Sequence, residues 1–121
     1  MTEVFRHDII VKKGAKFYQE FQFLDDSGNP VPYTGKTLKG RVLESFKTNN
    51  VLHDLTEANG GMVRVNELDG SFAIYLPGNI TKVNVDHGFY DVVAIDNAYP
   101  TTEIEPFLEG TVSYKNTTIG E

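Results

Sequence analysis

Apolar and polar residues alternate with a period of two along most of this chain, and the alternation stops at short intervals on Gly, Pro, Asn and Asp. Period two is the spacing of a strand with one buried face, since successive side chains point to opposite sides. Ile9, Ile10 and Val11 form a first apolar run that ends on Lys12, Lys13 and Gly14, which reads as a sheet-edge strand guarded by lysine. Phe17, Phe21 and Phe23 then share a face with Gln19, while Tyr18, Glu20 and Gln22 take the other. In 37–43, Leu38, Gly40 and Val42 oppose Lys39, Arg41 and Leu43, and Gly40 marks a bulge or a close approach. A short strand fits 51–55, and 62–66 places Val63 with Val65. Next, 71–76 sends Phe72, Ile74 and Leu76 inward and Ala73 and Tyr75 outward. The last strand sets Leu108, Gly110, Val112 and Tyr114 against Glu109, Thr111 and Ser113.

The intervening stretches carry turn chemistry. Asp25-Asp26-Ser27-Gly28-Asn29-Pro30 combines side chains that bond nearby backbone with a glycine suited to positive φ and a proline of fixed φ. A polar turn is expected at 46–50, others at Gly60-Gly61 and Leu68-Asp69-Gly70, and a loop containing Asp96, Asn97 and Pro100. After Pro77-Gly78, Asn79 is placed to cap one helical turn within 79–85.

The stretch 86–96, a turn running directly into an alternating strand, organises the rest. Tyr90, Val92 and Ala94 form its inner face, and Phe89, Asp91, Val93 and Ile95 its outer one. In immunoglobulin-like sandwiches, a tyrosine near the start of strand F, two residues before the usual cysteine, folds its hydroxyl onto upstream backbone. Tyr90 stands there with Val92 in the cysteine position, which predicts a tyrosine corner. About seven to nine short strands, with turns every 8 to 12 residues or so, predict an all-β antiparallel immunoglobulin-like β-sandwich. Its expected core includes Phe21, Phe23, Val42, Phe72, Ile74, Tyr90, Val92 and Val112.

Length and composition narrow the function. The 121 residues fit one domain, 1–121, with short polar ends at 1–7 and 115–121. With no cysteine, the chain has no disulfide, thiol nucleophile or cysteine-ligated zinc. A net charge of −6 and basic residues dispersed along the sequence argue against a nucleic-acid partner. No apolar stretch reaches membrane-spanning length and the first residues lack a signal-peptide core, so a soluble protein assembled in the cytoplasm is expected.

Searching for chemistry yields little. His7, His53 and His87 stand alone in the sequence, without metal-ligand spacing, and read as surface or turn residues. The acidic loop at Asp25 and Asp26 lacks the alternating donors and distal glutamate of a calcium loop. Asp25 with Asp26, and Glu103 with Glu105, are the acid pairs a glycosidase would need, yet they fall in turn and strand-edge contexts. No catalytic residue, cofactor or metal ligand is assigned. The remaining lead is the outward aromatics Tyr18, Tyr75 and Phe89, which form the expected interaction surface. Eight phenylalanines and six tyrosines without a tryptophan weaken, but leave open, a carbohydrate-binding reading.

Several segments in order resemble a family of small β-sandwich virion proteins of tailed bacteriophages, which includes lateral tail-fibre collar proteins and baseplate-associated modules. They are Asp8 to Phe17, Gly28-Asn29-Pro30 with Thr34-Gly35, Leu55 to Val63, Asp69 to Ile74, Gly88 to Val92, and Leu108 to Val112. The resemblance runs nearly end to end, though 79–83 is shorter and more β-branched than the alanine-rich helical turn often found there. It implies a non-enzymatic structural or adaptor role in a virion, joining tail or tail-fibre components. Implied partners are other tail, fibre or baseplate proteins and further copies of the chain in a ring. A carbohydrate-binding module for host-surface recognition and a capsid decoration protein are the alternatives.

Overall fold

Among the described residues, alternation becomes nine strands: β1 (Phe5–Arg6), β2 (Ile9–Lys12), β3 (Phe17–Gln22), β4 (Lys36–Leu43), β5 (Val51–Thr56), β6 (Met62–Asn66), β7 (Ser71–Leu76), β8 (His87–Asp96) and β9 (Ile104–Lys115). The computed structural model describes residues 5–45 and 50–116, without the side chains of Phe5 and Phe107. Most of the turn expected at 46–50 and the outermost residues of both polar ends therefore lie outside the described residues.

Two sheets pack face to face. The larger has the order β1-β9-β8-β4-β5, with β2 also on β9, and the smaller the order β3-β7-β6. Strands β3, β7 and β6 thus occupy the B, E and D places of an immunoglobulin-like sandwich, and β4, β5, β8 and β9 those of C, C′, F and G. The first residues are not simply a polar end. Phe5 pairs with Leu108 and Ile9 with Val112, so β1 and β2 run parallel to the last strand and form one edge of the larger sheet.

The inner faces meet in a single core. Val42, Tyr90, Val92 and Val112 from the larger sheet pack against Phe23, Phe72 and Ile74 from the smaller. Each large apolar side chain removed from water contributes about 1.5 to 3 kcal/mol. Phe21 is only partly buried because β3 is an edge strand; its ring stacks on Phe72 at 5.4 Å, and the His7 ring meets it edge-on at 5.6 Å.

Several positions depart from the sequence reading. Ala73 is fully buried although it faces outward, because β7 is the central strand and its methyl lies between Glu20 and Val63 in the register. On β6 it is Met62 that enters the core, leaving Val63 half-buried and Val65 exposed. Gly40 is a close approach within a continuous register, not a bulge: a Cβ there would lie 2.8 Å from the Asp91 carbonyl oxygen and 3.2 Å from Leu55. No helical turn capped by Asn79 forms. One hydrogen bond, from the Ile80 amide to the Pro77 carbonyl, closes a turn, and the buried Thr81 anchors it by accepting from the Gly14 amide at 2.9 Å.

Candidate functional site

Of the expected surface aromatics, Tyr18 and Tyr75 come together. They are direct cross-strand partners on β3 and β7, on the outer face of the smaller sheet. Tyr18 is 49% exposed and Tyr75 half-buried. On β6, Val63 faces Ala73, diagonal to Tyr75, with the exposed Val65 further along the same face, and the Tyr18 hydroxyl donates weakly to Glu20 Oε1 at 3.4 Å. Partial burial, then the Glu20 carboxylate, raise the Tyr18 pKa, so the ring presents a neutral phenol. Phe89 does not join this pair. It lies half-buried on the outer face of the larger sheet, opposite Leu43 and Thr111 in the register, on the far side of the sandwich.

Tyr90 departs from the tyrosine corner in its partner. The hydroxyl does bond upstream backbone, but it donates to the His7 carbonyl between β1 and β2, not to the loop entering its own strand. The reason is steric. Gly110 faces Tyr90 across β8 and β9, and the His7 backbone rests against it so closely that a Cβ there would collide with the His7 carbonyl. Burial holds the Tyr90 phenol protonated far above its ordinary pKa.

The charged clusters are mostly structural. Arg64 points inward beside Met62 on β6, a feature missed in the sequence, although its parity with Met62 was there to be read. It donates to Glu57 Oε1 at 2.8 Å, Glu67 Oε2 at 2.7 Å and the Lys36 carbonyl at 2.7 Å, and its guanidinium lies 4.8 Å from the centre of the Tyr33 ring. Hydrogen bonding from Arg64 lowers the Glu57 pKa. Asp25 Oδ1 accepts from the Ser27 and Asn29 amides at 2.9 Å each, which lowers its pKa, the opposite of what a catalytic acid requires. Glu105 lies 3.9 Å from Lys36, and Glu103 is exposed.

The histidines separate. His7 and His87 are exposed, but His53 is buried, against the sequence expectation, because it shares its face of β5 with Leu55. Its ring centroid lies 6.2 Å from that of Tyr114, and neither His53 Nε2 nor the Tyr114 hydroxyl has a hydrogen-bond partner among the described residues. Burial lowers the His53 pKa. Among the described residues no group of three His, Asp or Glu side chains is placed to hold a metal ion, and no helix is long and apolar enough to cross a membrane.

Some of the basic residues that are dispersed in sequence come together in space. Lys12 pairs with Lys115, the Lys13 amide donates to the Lys115 carbonyl at 2.8 Å, and Thr81 ties the segment carrying Lys82 to the one carrying Lys16. Five lysines therefore gather at one end of the sandwich.

No protein-family model matches the chain, and no curated protein matches its sequence. Among solved structures, extracellular domains 3-5 of Drosophila OTK align with 88% of this chain and 32% of theirs, at 12% identity and a TM-score of 0.38. The SrpA adhesin of Streptococcus sanguinis aligns with 91% of this chain and 55% of its own, at 17% identity and a TM-score of 0.41. This chain spans about a third of the first and about half of the second. The fold assignment rests on the chain's own strand order, an all-β sandwich of two packed sheets.

Proposed function

We propose that this chain is a non-enzymatic structural or adaptor module of a tailed-phage virion, joining tail or tail-fibre components. The observation that carries the binding part of this reading is the paired Tyr18 and Tyr75 on an open sheet face, with Val63 diagonal to Tyr75. Aromatic rings set on adjacent rigid strands lose little entropy on docking and bring a large apolar area with a polar tip. The virion part is supported by the ordered sequence segments that resemble phage tail and collar modules.

Replacing both Tyr18 and Tyr75 by alanine tests the reading. The expected result is normal far-ultraviolet circular dichroism with at least about a tenfold loss of incorporation into particles, the scale of one or two docking anchors. Full incorporation of the double variant overturns the assigned face. A carbohydrate-binding module is the second reading, favoured by the same exposed tyrosine pair. Glycan-array binding that disappears in the double variant, with incorporation unchanged, selects it.

A further inference from the structure

The sandwich is electrically polar along its strands. Strand β9 has 12 residues and spans about 36 to 40 Å at the usual rise, with Glu103 and Glu105 at its start and Lys115 at its end. At the Lys115 end stand Lys12, Lys13, Lys16, Lys82 and Lys115, against Asp86, which holds Lys13 at 3.2 Å, and Glu44. At the opposite end stand Asp25, Asp26, Glu57, Glu67, Asp69, Asp96, Glu103 and Glu105. Among the described residues the cations there are Lys36 and Arg64, both engaged by carboxylates, and the exposed Lys39, level with Thr56 and Val93.

The acidic end also holds a cleft. Lys36, Asp96, Glu103 and Glu105 line a cleft of about 300 Å³ whose wall includes Ala94, Pro106 and the half-exposed Ile104. Tyr99, 62% exposed, projects from the adjoining loop. The basic end has its own apolar contact in Ile80, 41% exposed and close in the chain to Lys82. Each end thus carries an excess of one sign of charge together with exposed apolar surface.

We propose that the chain associates head to tail with further copies of itself, the lysine end of one copy docking onto the acid-lined cleft of the next. Like ends repel, so a two-fold contact between identical ends is disfavoured and a heterologous one favoured. Such a contact closes into a ring or continues as a stack, depending on the rotation between copies. Charge fixes register and speeds encounter, while Ile80, Ile104 and Tyr99 supply apolar contact. This rests on the adaptor reading and deepens it by assigning the two surfaces through which copies meet, an interface separate from the tyrosine face.

The test uses the full chain and two charge-reversed variants. One carries Lys12→Glu, Lys16→Glu and Lys115→Glu; the other carries Asp26→Lys, Glu103→Lys and Glu105→Lys. Five of these side chains are exposed and Glu105, 41% exposed, faces Lys36, so circular dichroism checks that both variants fold. By analytical ultracentrifugation the unaltered chain should gain mass with concentration and associate about tenfold or more weakly when salt rises from about 50 mM to about 0.5 M. Each variant alone should be monomeric, and an equimolar mixture of the two should associate again. A chain that stays monomeric at about 1 mM in low salt, or a mixture that fails to associate, overturns the inference. Monomeric chain whose lysine end instead binds a duplex DNA of about 20 base pairs assigns that end to nucleic acid and equally overturns it. A monomeric chain that still enters particles overturns self-association and leaves the adaptor reading standing.

Discussion

Removing one oxygen atom, by Tyr90→Phe, should loosen the whole amino-terminal edge of the larger sheet. Tyr90 is 2% exposed and its hydroxyl donates to the His7 carbonyl, at the crossing from β1 to β2. Phenylalanine fills the same space, so no cavity term enters; what changes is that a carbonyl held against Gly110 loses its donor. Leaving this part-buried acceptor without its donor costs up to about 1 to 3 kcal/mol, the range for a fully buried one. With urea slopes of about 1.5 to 2 kcal/mol/M for a domain of this size, the midpoint should fall by about 0.5 to 2 M. Hydrogen exchange adds the local reading. The His7 amide donates to the Glu109 carbonyl at 2.9 Å and should lose protection before the amides of β7, which lie in the other sheet. An unchanged midpoint together with unchanged protection at His7 would refute the reasoning, because the hydroxyl would then contribute nothing that water does not.

Other substitutions probe separate parts of the structure. Gly110→Ala should destabilise by at least about 1 to 3 kcal/mol in thermal or urea unfolding, since its Cβ must displace the His7 backbone. Arg64→Met should cost about 1 to 3 kcal/mol, measured the same way, because it leaves Glu57, Glu67 and the Lys36 carbonyl without their shared donor. The lowered His53 pKa means that the unfolded chain binds a proton more readily. The associated stability is present above the ordinary value of 6.5 and is lost as pH falls toward the folded value, and His53→Leu should flatten that part of the pH profile of the unfolding midpoint.

Period-two alternation made the strands legible, because a half-buried strand imposes its face on its own sequence. The inward sets Leu38 with Val42, Phe72 with Ile74, and Tyr90 with Val92 follow from parity alone. Parity also held two facts that residue type obscured, namely that Arg64 shares a face with Met62 and His53 with Leu55. Pairing was less legible. Nothing local in Ile9 to Lys12 names β9, about a hundred residues away, as its parallel neighbour, so neither the Tyr90 partner nor the gathering of Lys12 with Lys115 could be read before the sheets were known. The surface aromatics show the same limit. Alternation put Tyr18, Tyr75 and Phe89 outside, but only sheet membership separates Phe89 from the other two.

The central claim, that this chain is a structural part of a tailed-phage particle, is tested most directly by negative-stain microscopy of purified particles labelled with an antibody to the chain. The account predicts several labels per particle, confined to the tail or its fibres. Particles that carry no label and no peptide of this chain by mass spectrometry would contradict it.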